Sequence, residues 1–277
     1  MSLDSPVPQS AADGSEETAL PVQPLALDSA NPVPGVDPLL LTCTRIGTFV
    51  GNLGLTSATG FFLARDRRLF LVTSRHVFID TEGKHFPDRI TIELHTNRAD
   101  IAAAATVSIP LYHERLSLWR QATDSAGEVD VALIEVDQSL LPAEAVYCAF
   151  TPQHITTDEE FIEVGAALLV IGFPLGFHDA LHHMPVVRRA SLASSYGLRF
   201  QGMGYFLTDA RTHRGTSGAP VVIRLPGTPA ARGGLSCRLL GVHSSRVDMV
   251  SRDPLEDEAL GLNCAWYADI LLTLSEG

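Results

Sequence analysis

The feature that most constrains this chain is its succession of short β-rich runs, in two series separated by a polar connector. Runs at 40–49, 57–63, 69–74, 89–94, 106–109 and 129–136 form the first series. Runs at 166–173, 186–194, 204–208, 219–223, 238–242 and 262–267 form the second. Turn residues punctuate both, and the strand period with this spacing predicts all-β barrels or sandwiches rather than alternating helix and strand. The connector, 142–160, is rich in Pro, Asp, Thr and Gln. With 277 residues there is room for one large or two modest domains, so two similar β units are the simplest account. The last stretch, 268–275, carries Ile270, Leu271, Leu272 and Leu274 and predicts a short amphipathic helix.

Charge is unevenly distributed. Residues 1–38 hold Asp4, Asp13, Glu16, Glu17, Asp28 and Asp37 with no Lys or Arg, half of the net charge of −12, together with seven of the seventeen prolines. Such a segment buries too little apolar surface to offset its ordering entropy and is expected to be a flexible acidic tail. The overall acidity argues against nucleic acid as a partner. The longest apolar run, 164–177, is broken by Pro174 and too short to span a bilayer, so no membrane partner is expected. The start of the chain lacks a basic region followed by an apolar stretch. Cys43, Cys148, Cys237 and Cys264 are far apart and form no C-x-x-C pair. Together these features predict reduced structural thiols in a cytoplasmic protein.

Three local patterns carry chemistry. Leu71-Val-Thr-Ser-Arg-His76-Val77 sets a histidine just past an apolar strand. Asp130-Val-Ala-Leu-Ile-Glu-Val136 opens a strand with an acid, and Gly215-Thr-Ser217-Gly-Ala-Pro220 puts a serine in a Gly-rich turn. Each alone has a bland reading as a structural histidine, a solvated acid or an ordinary turn. Together they meet the needs of nucleophilic catalysis. Ser217 needs a neutral imidazole to take its proton, and His76 needs Asp130 to fix its tautomer and stabilise the imidazolium. Gly215 permits the bend that aims the Gly215 and Ser217 amides at a developing oxyanion, worth about 3–4 kcal/mol per donor in related sites.

The chain order His, Asp, Ser resembles that of trypsin/chymotrypsin-like serine peptidases. The resemblance is closest to a bacterial branch that includes the high-temperature-requirement proteases and the glutamyl endopeptidases. It runs from about residue 40 to the end and rests on four patterns: Ala58-Thr-Gly-Phe-Phe62, Thr-Ser-Arg-His76, Asp130-Val-Ala-Leu, and the stretch from Thr208 through Gly215-Thr-Ser217-Gly-Ala-Pro220. It implies two six-stranded β-barrels of the chymotrypsin type with a short C-terminal helix. The first barrel, 39–148, would carry His76 and Asp130, and the second, 149–277, would carry Ser217. It also implies a serine endopeptidase that needs no cofactor and no metal. Its partner would be a peptide or protein substrate.

The chain also departs from the family. Arg75 stands where the family often has a small or amide residue, which predicts crowded, positive access beside His76. Thr216 replaces the acid that pairs with a newly cut N-terminus in secreted digestive members. The disulfides of those members and the appended binding domain of the high-temperature-requirement proteases have no counterpart in the sequence.

Thr212 and His243, followed by Ser244 and Ser245, resemble the positions by which glutamyl endopeptidases grip an acidic side chain, and Arg211 or Arg214 would add charge. His243 also reads as a satisfied pocket-wall or core histidine. The strand from His243 to Ser245 is expected to pair with an extended substrate. His178, Asp179, His182 and His183 read as a polar surface loop, since no Cys or second ligand pair accompanies them. Gly172-Phe-Pro-Leu-Gly176 reads as a turn, because it lacks the lysine and spacing of a phosphate loop. Two alternatives stay open: a catalytically silent or latent protease fold that binds peptides, and an esterase using the same triad. Restraint of a cytoplasmic protease would come from a regulatory protein or from the acidic tail.

Overall fold

The computed structural model describes residues 33–156, 161–225, 234–246 and 261–276. The expected acidic tail lies outside the described residues up to residue 32. Its end is packed rather than free: Val33 is buried with Leu41, Val146, Cys148 and Met184. Asp37 accepts from the Leu39 amide at 3.0 Å and pairs with Arg224.

The first series builds β1 (Cys43–Val50), β2 (Leu53–Arg65), β3 (Arg68–Thr73), the single turn α1 (Arg75–Phe78), β4 (Arg89–His95) and β5 (Ala104–Pro110). The small ribbon β6 (Tyr112–His113) and β7 (Leu116–Ser117) follows, then β8 (Trp119–Asp124) and β9 (Gly127–Glu135). The main sheet is antiparallel in the order β5-β4-β1-β2-β3-β9-β8. It has seven strands where six runs were expected. The additional one is β8, whose Trp-Arg-Gln-Ala-Thr-Asp sequence buries fully only Trp119 and so lacks an apolar signature. Two hairpins close on non-glycine residues with positive φ: Asp66 and Arg67 (51° and 65°) between β2 and β3, and Glu114 and Arg115 (48° and 68°) between β6 and β7. Consecutive left-handed residues match the twist of a two-residue hairpin.

The second series builds β10 (Ala167–Gly172), β11 (Val186–Ser191), β12 (Tyr205–Thr208), β13 (Pro220–Arg224), β14 (Cys237–Arg246) and β15 (Asn263–Tyr267). They form a six-stranded antiparallel sheet in the order β11-β10-β13-β14-β15-β12. All six expected runs are present, and so is the C-terminal helix, α2 (Ile270–Leu274). The architecture is that of the chymotrypsin-like double β-barrel.

Both faces of the central strands are covered. In β3, Phe70 and Val72 enter a core shared by the two sheets with Phe61, Val131, Phe150, Ile171, Phe173, Val222, Trp266 and Leu271. Leu69 and Leu71 point the other way, into a core of the first sheet with Ile46, Phe62, Ile90, Ile92 and Ile134. Burial on both sides explains why β3 reads as a continuous apolar run. Phe61, Phe70 and Phe150 are fully buried, contributing about 1.5–3 kcal/mol each. The shared core holds the ends of β3, β9 and β13 in fixed relation, and those ends carry the site.

All four cysteines are buried and unpaired. Burial pushes the thiols of Cys43 and Cys148 up to about 12 and those of Cys237 and Cys264 up to about 11, so they stay protonated. Among the described residues no helix is long and apolar enough to cross a membrane.

Candidate active site

His76 sits on α1, a turn that the chain enters directly from β3. Ser74 caps it in an extended conformation, Val77 and Phe78 anchor its apolar side, and His76 remains on the half-buried side. Asp130 lies near the start of β9, which pairs with β3 from Phe70 to Thr73. That pairing places the acid beside the histidine, 54 residues away in sequence. Asp130 Oδ1 accepts the His76 amide at 2.9 Å and Oδ2 lies 2.7 Å from His76 Nδ1. An ionised carboxylate can only accept, so the imidazole proton belongs on Nδ1 and Nε2 is left as the base. Burial disfavours the charged ring, but the hydrogen bond and charge of Asp130, with Asp80 further off, outweigh it and hold His76 above the ordinary imidazole value.

Ser217 lies in the turn before β13. Gly215 has φ +89° and Gly218 has φ +86°, both in the left-handed region. A Cβ on Gly215 would come within 2.6 Å of the Phe173 carbonyl, and one on Gly218 would collide with Thr59 and Thr73. Glycine is therefore required at both positions by conformation and by space. The Arg214 carbonyl accepts the Leu175 amide at 2.5 Å, and the Gly215 carbonyl accepts the Thr59 hydroxyl at 2.7 Å. With those carbonyls held, the Gly215 and Ser217 amides donate to no acceptor among the described residues. Two uncommitted amides in one tight turn suit an oxyanion.

Thr59 was legible only as part of a motif. Its hydroxyl also accepts the Phe173 amide at 3.0 Å, and its own amide donates to the Ser217 carbonyl at 3.0 Å. One side chain on β2 thus ties the first sheet to the nucleophile turn and to the loop after β10. Thr73 braces it from β3, donating to the Thr59 carbonyl at 2.8 Å.

The Ser217 hydroxyl donates to the Ser244 carbonyl at 3.1 Å, and no hydrogen bond joins it to His76. Ser244, read from sequence as a substrate contact, turns its own hydroxyl onto Asp130 Oδ2. Ser245 is exposed on β14.

His243 is 2% exposed, and its Nδ1 is buried without a hydrogen-bond partner. Burial above all, with the neighbouring His76 adding to it against the pull of Asp130, lowers its pKa to about 4, so it is neutral. Its backbone fixes the turn: the carbonyl accepts the Gly218 amide and the Ser74 hydroxyl, and the amide donates to Ala219. Thr212 is buried with its hydroxyl committed to Asn263 Oδ1 at 2.6 Å. Asn263, on β15, gave no sequence signal.

Arg75 does not present a free charge beside His76. Its guanidinium bonds Gln121 at 2.6 Å and Glu128 at 2.9 Å. Thr216 is buried with its hydroxyl unpartnered, so no ion pair holds the turn from that position.

A family model of the trypsin-like peptidase domain matches residues 58–224, more than half of the chain, and takes in His76, Asp130 and Ser217. Among solved structures, the chain is similar to the crystal structure of the serine endoprotease from Yersinia pestis, with a TM-score of 0.50 and 14% sequence identity. The match covers 84% of this chain and 61% of that one, a likeness of fold. No curated protein matches.

Proposed function

The chain belongs to the trypsin-like peptidase family, and we propose that it is a serine endopeptidase with His76, Asp130 and Ser217 as its catalytic triad. The 2.7 Å contact between His76 Nδ1 and Asp130 Oδ2 carries this reading, because it leaves Nε2 free to accept a proton. Ser217 attacks the scissile carbonyl as His76 takes its proton. The oxyanion is met by the Gly215 and Ser217 amides, and His76 then returns the proton to the leaving amine. The strand segment at Ser244 and Ser245 receives the substrate backbone, since both backbone groups of His243 are already bonded within the turn.

For the side chain before the scissile bond, the proposal is an acidic residue. The Thr212 hydroxyl proton is already given to Asn263 and His243 Nδ1 is buried, so the other ring nitrogen of the neutral His243, Nε2, is the group left to offer an N–H to a carboxylate. A latent, peptide-binding state is the second reading. It is favoured by one observation, the Ser217 hydroxyl resting on the Ser244 carbonyl.

A fluorophosphonate probe on the purified protein, with Ser217→Ala as control, separates the two. Labelling lost in the control supports an activated serine, and absence of labelling in both supports the latent binder. A peptide library then reads specificity: enrichment of Glu or Asp at the cleaved position supports the pocket assignment, and a neutral preference removes it.

A further inference from the structure

The loop of residues 173–185 joins β10 to β11 and carries the four residues that read from sequence as an ordinary polar loop. The fold brings it a partner from the other sheet. Glu93 on β4 lies against it, and one ligand atom each from Glu93, His178 and His183 lie within 4.8 Å of one another. We infer that these three side chains form a binding site for zinc or a similar divalent transition metal, which fastens the 173–185 loop to the first sheet.

The donor set, two imidazoles and a carboxylate, is one that zinc accepts, with a fourth position left for water. His183 Nδ1 is buried without a hydrogen bond and stands 3.6 Å from Glu93 Oε2. That is long for a hydrogen bond. It is close to the roughly 3.3–3.4 Å that separates two ligands of a tetrahedral ion with bonds of about 2.0–2.1 Å.

The surrounding groups orient the donors. His178 Nδ1 lies 2.6 Å from the Gly176 carbonyl, which places the proton on that nitrogen and leaves Nε2 unprotonated as the donor to a metal. Arg45 holds Glu93 Oε1 at 2.5 Å and reaches Oε2 at 3.4 Å, fixing the carboxylate plane. The two imidazole rings stack with centroids 6.3 Å apart. The other two nearby histidines are engaged elsewhere: His182 with Asp179 at 2.7 Å and His95 with the Ile101 carbonyl at 2.9 Å.

The position of this loop gives the site a consequence. Leu175, in the same loop with φ +55°, donates the amide that holds the Arg214 carbonyl, and Phe173 is the residue bonded to Thr59. A metal at His178 and His183 therefore fixes the far side of the segment on which the Gly215 turn leans. That consequence rests on the peptidase reading, whereas the site itself does not.

The test uses the Ser217→Ala protein, so that self-cleavage plays no part. Stripped with a chelator, it is titrated with zinc chloride against a chromophoric zinc indicator and by calorimetry, and its thermal unfolding is followed with and without the metal. One equivalent should bind and raise the melting temperature. His178→Ala and His183→Ala should each weaken binding at least about tenfold, with His182→Ala unchanged. Circular dichroism reports whether each variant is folded, and Glu93→Gln, which keeps the shape of the side chain, gives a second route to the same loss. Cobalt(II) titration of the intact site should produce the intense visible bands of a low-symmetry, imidazole-bound ion. Lack of saturable zinc binding up to about 1 mM, or equal affinity in His178→Ala, His183→Ala and His182→Ala, overturns the inference. Neither outcome bears on the triad, because the titration reads metal and not turnover.

Discussion

The hydroxyl of Ser217 rests on the main-chain carbonyl of Ser244, 3.1 Å away, while the side chain of the same Ser244 donates to Asp130. One residue of β14 therefore touches the nucleophile through its backbone and the acid through its hydroxyl. To meet His76, Ser217 must turn about χ1 and give up a neutral hydrogen bond whose net worth is about 0.5–1.5 kcal/mol. Catalytic contacts in free enzymes are often loose in this way and tighten around substrate. The rest of the machinery needs no such movement, since His76 and Asp130 are already joined and the Gly215 turn is already bent.

Replacing Ser244 by alanine removes its hydroxyl from Asp130 Oδ2 and leaves the carbonyl that Ser217 touches. The carboxylate then loses a charge-assisted donor worth about 1.5–3 kcal/mol and becomes a stronger acceptor for the imidazolium. Turnover should fall about tenfold, and the pKa of His76 should rise further. A kcat/KM profile against pH would show both; an unchanged acidic limb would mean that Ser244 does not tune the pair.

The pH dependence of the unaltered protein follows from the same contact. His76 must be neutral to accept a proton, and Asp130 together with Asp80 holds its pKa above the ordinary imidazole value in spite of burial. Activity should therefore be lost as pH falls through that raised pKa, with the acidic limb of kcat/KM lying above the position expected for a free imidazole near 6.5. In Asp130→Asn the charge is gone and Nδ1 is no longer assured of its proton. Turnover should drop about 10⁴-fold, as in other triads of this type, and the limb should move to lower pH. His76 itself can be followed by the chemical shifts of its ring protons, independently of activity.

Gly215→Ala tests the oxyanion turn. The substitution sets a Cβ 2.6 Å from the Phe173 carbonyl at φ +89°, so the turn must open or rotate. Loss of one oxyanion donor costs about 10²–10³ in kcat. Turnover should fall by at least that factor while His76 keeps its titration, because His76 and Asp130 lie on the other sheet. A variant with turnover within a few-fold of the parent would remove Gly215 from the mechanism.

What the sequence made legible follows a physical division. Runs buried on both faces, such as β3 and β10, stand out because nearly every residue is apolar. By contrast β8 carries no apolar run, because only Trp119 is fully buried and the other residues, Ala122 apart, are polar. His76, Asp130 and Ser217 were legible because each lies in a short motif that must bend or start a strand in one way. Thr59, Ser244 and Asn263 were not assigned their observed roles, since these depend on hydrogen bonds to residues 156, 114 and 53 positions away. The same limit applied to the histidine loop. His178 and His182 are four residues apart, yet the chain there is not an α-helix, and His178 stacks on His183 instead.

Thr59 is the residue whose removal should reach furthest. Its hydroxyl donates to the Gly215 carbonyl at 2.7 Å and accepts the Phe173 amide at 3.0 Å, both buried. Thr59→Val keeps the shape but leaves a carbonyl and an amide unsatisfied, at about 1–3 kcal/mol for each group. Thr59→Ser keeps the hydroxyl and should restore both bonds. The valine variant should melt at lower temperature and react with a fluorophosphonate at least about tenfold more slowly, since the Gly215 carbonyl is then free to swing and carry the oxyanion amide with it. Serine should recover most of the labelling rate. If valine lost stability but kept its labelling rate, Thr59 would only join the two sheets, and the turn would owe its shape to Gly215, Gly218 and the Leu175 amide alone.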